Sequence, residues 1–176
     1  MIDFSGYREV SKLLSSAGWD PERKADLAQL IAGLQDWGFS IFPLAQIILE
    51  QFGGLSIPPL QSDASLYHAE TVDFSPAAAV DGEQDRLQDW GRGLRQPVYP
   101  LGVYGSSSIL FLVPDGGLFV GRDREIWPVA EQFERGIQAL VFADRQPTWW
   151  EPTEYRRQCE LHALPLGSDL ATRHRE

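Results

Sequence analysis

Ser108-Ile109-Leu110-Phe111-Leu112-Val113-Pro114-Asp115-Gly116-Gly117-Leu118-Phe119-Val120 is the stretch that decides the fold. Ile109 to Val113 run apolar without a break, as in a central strand buried on both faces. Pro114-Asp115-Gly116-Gly117 is a strong turn signal, and Leu118-Phe119-Val120 returns as the hairpin partner. Upstream, residues 98–104 form a further strand. Downstream, Arg124-Glu125-Ile126-Trp127 adds an edge strand, which Pro128 is expected to terminate because it lacks an N–H.

Outside this β region the pattern becomes helical. Phe4, Tyr7, Val10, Leu13, Leu14 and Ala17 recur at helical spacing, and Gly18 ends the run. Asp20 is placed to cap a second helix and Pro21 to be its first residue. Leu27, Leu30, Ile31 and Leu34 would form its inner face, and Gly38 would end it. Pro43 opens a third helix with Leu44, Ile47, Ile48 and Phe52 inward, closed by Gly53-Gly54. Residues 66–74 read as a strand, and His68 as an ordinary half-exposed residue on it. Ser75-Pro76 starts a short helix through Val80. Residues 83–95 form a helix with Leu87, Trp90 and Leu94 on one side. Another follows the hairpin, with Val129, Phe133, Ile137, Leu140 and Val141 as its core face. Helices followed by strands and a closing helix define an α+β fold, with N-terminal helices packed on a mostly antiparallel sheet.

The residues divide into a domain over 1–143 and a charged, tryptophan-containing tail over 144–176. The tail has room for a short helix near 153–162, and its last ten residues read as frayed. Trp19, Trp37 and Trp127 are expected to pack in the core. Trp149 and Trp150 cannot both point inward from an extended segment, which leaves at least one to cover the domain or meet a partner.

The chain has 176 residues, a formal net charge of −10 and 43% hydrophobic residues. That apolar content supports a folded domain. The negative charge argues against nucleic acid and against anionic membranes as direct partners, and it permits a basic one. Cys159 is the lone cysteine, so no intramolecular disulfide forms and a reducing compartment fits. The first residues carry no basic start followed by an apolar run, and no apolar stretch approaches bilayer length, so the expected location is the cytoplasm.

Motifs for chemistry are missing. His68, His162 and His174 show no ligand spacing, either with one another or with Cys159. Ser106-Ser107-Ser108 lacks a nucleophile elbow, and no phosphate-binding loop occurs. The sequence therefore implies no catalytic residue, no metal and no cofactor. Cys159 has Arg156 and Arg157 beside it, cations able to lower a thiol pKa, but an inert free thiol is the simpler reading. The charge pattern is more informative. Asp63, Glu70, Asp73, Asp81, Glu83 and Asp85 occupy a stretch with no Lys or Arg, interleaved with Tyr67 and Phe74 and followed by Trp90. It is either a solvated acidic face or a contact surface for a basic protein.

Four short motifs in order resemble a known family. Ala17-Gly18-Trp19-Asp20-Pro21-Glu22-Arg23 is similar to the opening signature of the third group of the SUKH superfamily of bacterial immunity proteins. Phe52-Gly53-Gly54-Leu55 and Tyr99-Pro100-Leu101-Gly102 resemble two further elements of it. The hairpin over residues 110–120 resembles the family hairpin, and the helix around Phe133 and Leu140 its closing helix. The resemblance covers residues 10–143. The chain departs from it at Phe119-Val120, where the family tends to carry a Tyr, and at Trp127-Pro128, where it tends to carry a Gly.

The resemblance implies a non-enzymatic protein that binds and neutralises a cognate toxin, often a nuclease or deaminase, through a stoichiometric interface. The partner is expected to be a basic protein and this chain a monomer or weak homo-oligomer. Tyr67, Glu70, Asp73, Asp81, Glu83, Asp85 and Tyr104 are the candidate partner-binding residues. Two alternatives are a regulatory or scaffold module on the same fold and, from a different class, a carboxylate-dependent hydrolase.

Overall fold

The computed structural model describes residues 2–60, 67–143 and 146–170. Its centre is one antiparallel sheet whose strands lie side by side in chain order: β1 (Ser56–Ile57), β2 (Val72–Asp73), β3 (Tyr99–Tyr104), β4 (Ser108–Leu112), β5 (Leu118–Arg122) and β6 (Glu125–Ala130). The β4–β5 hairpin forms as its residues dictate. Ile109 pairs with Gly121, Phe111 with Phe119 and Leu112 with Leu118. Gly116 takes φ +98° in the turn, a conformation that strains any residue with a Cβ.

Successive residues of a strand face opposite ways, so the apolar run of β4 needs a cover on both sides. One cover is α5 (Gln84–Leu94) with α7 (Pro152–His162). Trp90 stacks on Phe111 at 5.2 Å, Phe111 on Phe119 at 5.2 Å, and Tyr155 meets the Phe119 ring edge-on at 5.8 Å. On the other face lies α6 (Phe133–Phe142), where Gly136 lets the helix approach so closely that a Cβ would stand 2.4 Å from Leu118 Cδ2.

The N-terminal helices α1 (Arg8–Ser16), α2 (Ala28–Asp36) and α3 (Pro43–Phe52) are joined to this framework by aromatic contacts. Phe52 packs 5.1 Å from Phe133, 5.0 Å from Phe74 and 5.8 Å from Trp19, and Phe4 stands edge-on to Trp19 at 5.5 Å. The short helix α4 (Pro76–Val80) follows Ser75 as the Ser-Pro step indicates.

Several expectations are corrected. α2 begins at Ala28, not at Pro21. Asp20 Oδ1 instead accepts from the Glu22 amide at 2.7 Å, closing a turn. The reason is tertiary: Arg23 donates to the carbonyls of Gln51 and Gly53, each at 2.8 Å, and so satisfies oxygens that the end of α3 leaves open. β2 spans two residues rather than nine, and His68 is exposed and lies outside it. Strand β1 has no counterpart in the sequence reading.

Pro128 lies within β6, opposite Phe119, and does not end it. The register shifts between Leu118 and Phe119, and a proline at the outer strand needs no ladder donor on its free side. Val129 therefore belongs to β6 and not to α6. Ile47 and Trp37 are not core residues: they are 38% and 40% exposed. The buried stripe of α3 is Ala45, Ile48, Leu49 and Phe52, which leaves Ile47 on its flank.

Residues 146–170 pack against the sheet. Trp150 exchanges both main-chain hydrogen bonds with Ile126, at 2.9 and 2.8 Å. Glu151 caps α7 by accepting from the Glu154 amide at 2.9 Å. Tyr155 Oη accepts from the Gly167 amide at 2.8 Å and donates to the Ser168 carbonyl at 3.0 Å. Of the last ten residues, Gly167, Ser168 and Leu170 are thus buried and tied, while 171–176 lie outside the described residues.

Candidate partner-binding surface

The structure divides the sequence-predicted surface into two groups. The first surrounds the β3–β4 turn. Tyr67 and Glu70 are exposed. Tyr104 is buried, and its hydroxyl accepts from the Glu70 amide at 3.3 Å. The Gly105 amide donates to the Thr71 carbonyl at 2.9 Å, which fastens the same segment. Gly105 has φ +64°, and a Cβ there would overlap the Glu70 carboxylate. Burial pushes the Tyr104 phenol up, and the nearby Glu70 carboxylate adds to that rise. Tyr104 accordingly positions Glu70 and offers little surface of its own.

The second group lies where α4 meets α5. Asp81 follows α4 and is exposed, and Asp85 is exposed in the first turn of α5. A carboxylate at that end of α5 complements the helix dipole. Glu83 is half-buried and paired with Arg86 at 2.5 Å, so part of its charge is neutralised. Asp73, half-buried on β2, pairs in register with Ser56 and Val103. Among the described residues no hydrogen bond or ion pair joins the two groups. Asp63 lies outside the described residues.

His68 and His162 are exposed. Cys159 is 1% exposed, and burial pushes its thiol up, opposite to the direction that Arg156 and Arg157 would favour. Arg156 instead donates to the Gly93 carbonyl at 3.0 Å and pairs with Glu160 at 2.5 Å. Ser106 and Ser107 are exposed in the β3–β4 turn, and Ser108 is half-buried as the first residue of β4. Among the described residues no group of three or more His, Cys, Asp or Glu side chains is arranged to hold a metal ion. No described helix is long and apolar enough to cross a membrane.

Three features escaped the sequence reading. Tyr104, Trp127 and Trp149 form a row with ring separations of 6.2 and 6.4 Å, and Arg122 lies 4.4 Å over Trp149. A cleft of about 500 Å³ beside α5 is lined by Phe39, Gln88, Arg92 and Arg95. An acid-rimmed groove lies beside Ile47. Each assembles residues far apart in the chain. The one signal in the sequence was the flanking position of Ile47 on α3, which helical spacing alone assigned to the core.

Taken together, the antiparallel meander, the closing α6 and the Trp19–Arg23 segment folded onto the end of α3 define an α+β scaffold carrying an acidic surface. A model of the SUKH-3 immunity protein family matches residues 7–142, and the chain belongs to this family. No curated protein and no solved structure matches it. The family match ends within α6, so Trp149, Trp150 and α7 lie beyond it.

Proposed function

We propose that this SUKH-3 immunity protein neutralises a cognate toxin by forming a stoichiometric protein–protein complex, and that the toxin is a basic nuclease or deaminase. Family membership is the observation that carries the immunity role. The net charge of −10 supports a cationic partner, because long-range attraction accelerates encounter and like charge rejects wrong partners. A toxin cleft built to hold nucleic acid has the complementary sign.

The contact surface we propose is built on exposed Tyr67 and Glu70 at one end and Asp81 and Asp85 at the α4–α5 junction. Asp73 and Glu83 contribute charge from half-buried positions, and Tyr104 holds Glu70 in place. The family match ends at residue 142, and we propose that residues beyond it are an addition that completes this particular sheet. The cytoplasm is the compartment we propose, where a lone buried thiol stays reduced.

The test is co-expression with the product of the neighbouring reading frame. A product that arrests cells alone, is tolerated with this chain and copurifies with it at one to one supports the proposal. A product that neither harms cells nor binds overturns it.

A further inference from the structure

A second surface, remote in sequence from residues 67–85, joins exposed apolar groups to acids. Ile47 is among the few large hydrophobic side chains exposed on the described surface, and Leu44, one turn earlier on α3, is half-buried. They line a groove of about 210 Å³ whose floor is completed by Ile2 and Phe133. Its rim carries Asp115 from the β4–β5 turn and Glu131 and Glu134 from the β6–α6 junction.

Each rim carboxylate is engaged by one neutral donor. Gln96 Nε2 donates to Asp115 Oδ2 at 2.7 Å, Ser168 Oγ to Glu131 Oε1 at 2.6 Å, and the Asp3 amide to Glu134 Oε1 at 3.1 Å. These bonds fix the carboxylates without pairing them to a cation, and Arg95 and Arg156 line an adjoining pocket with Asp115, so the free charge of the rim rests mainly on Glu131 and Glu134. No described Lys or Arg forms an ion pair with them, and Arg135, the nearest cation in sequence, does not line the groove. Glu134 stands in the first turn of α6 and offsets the positive end of that helix.

The groove falls below the roughly 300–1,000 Å³ of small-molecule pockets, which suits one side chain rather than a cofactor. An apolar floor under an anionic rim matches a side chain with an aliphatic stem and a cationic tip. Arginine fits better than lysine, since its planar guanidinium is weakly hydrated and bonds carboxylates through two N–H groups at once. We infer that the groove between α3 and the β6–α6 junction receives an arginine side chain of the toxin. This assignment rests on the toxin-binding reading and gives it a second contact, away from Glu70 and Asp85.

Two measurements test it. In the first, the isotopically labelled full-length protein is titrated with N-acetyl-arginine methylamide and followed by amide chemical shifts. Saturable shifts confined to the neighbourhood of Ile47, Gly116 and Glu134 are expected, weakened about fivefold or more by the isosteric Glu131→Gln/Glu134→Gln pair. Equal shifts from N-acetyl-glutamine methylamide, or none there, overturn the assignment. So does binding that emerges only in an Arg173→Gln/Arg175→Gln variant, because the groove would then belong to the chain's own cations.

In the second, Kd for the copurified toxin is measured. Ile47→Asn and the Glu131→Gln/Glu134→Gln pair are each expected to weaken it about tenfold or more, with Tm shifted by no more than about 4 °C through the lost helix-end charge. Unchanged affinity overturns the groove contact and leaves toxin binding standing. A wild-type chain that binds no toxin overturns the toxin reading itself, and the arginine titration still reports on the groove.

Discussion

The indole of Trp90 lies directly on Gly121: a Cβ at that glycine would stand 2.4 Å from the ring. Hydrogen at position 121 is what lets α5 lie against the centre of the sheet. Replacing Gly121 by Ala overpacks this contact, and about 1–3 kcal/mol of stability is expected to be lost. Urea denaturation checks this, with Gly33→Ala as a control, since nothing crowds Gly33.

Arg23 ties the segment before α2 to the end of α3. Arg23→Ala removes two charge-assisted donors from the Gln51 and Gly53 carbonyls. The expected cost is about 2–3 kcal/mol, read from the denaturation midpoint. Arg23→Lys should recover only part of it, because an ammonium cannot present two N–H groups in a fixed fork.

Tyr99 is fully buried, and its hydroxyl has no hydrogen-bond partner. Burial pushes its phenol up to about 12 from 10.0. The neutral form is thus favoured in the folded state. Stability is unaffected below pH 10 and is lost as pH rises through 10 toward 12, by about 1.4 kcal/mol per unit from this group. Tyr99→Phe should be neutral or stabilising by about 1 kcal/mol at pH 7, and should flatten the alkaline loss. Chemical denaturation between pH 7 and 11 decides it.

Charge reversal at the α4–α5 junction probes steering. Asp81→Lys with Asp85→Lys should slow association with a basic toxin by about tenfold at low ionic strength and reduce its salt dependence, with little change in the dissociation rate. Stopped-flow mixing at several salt concentrations checks this. Adding Asp73→Lys and Glu83→Lys should slow it less per substitution, because Asp73 is half-buried and Glu83 already pairs with Arg86.

The β4–β5 hairpin, the buried side of α5 and the start of α3 at Pro43 were legible because local rules decide them: turn chemistry, helical period and a proline. The start of α2 was not, because Asp20 and Pro21 obey capping rules while Arg23 obeys a partner thirty residues away in Gly53. β1 escaped, and β2 was read over 66–74 instead of Val72–Asp73, because a two-residue strand has no period. Pro128 misled because its meaning depends on which side of the strand is free. At the candidate surface the sequence supplied the acids but not their grouping. Tyr104 looked available because burial of a strand-end tyrosine depends on a loop crossing it at Glu70. The groove beside Ile47 had no sequence signature beyond the flanking position of Ile47 on α3, since its walls come from four separate places in the chain.

The bridge between Ile126 and Trp150 bears on how a partner can dock. An outer strand with free amides and carbonyls invites another chain to join the sheet. Here the chain caps its own margin: Trp150 takes the hydrogen bonds of Ile126, and Pro128 two residues on has no amide to give. Self-association and capture by strand addition are both discouraged along that border. In the proposed complex, recognition is left to side chains on the surfaces around it, where a few substitutions would retune the choice of toxin without disturbing the scaffold.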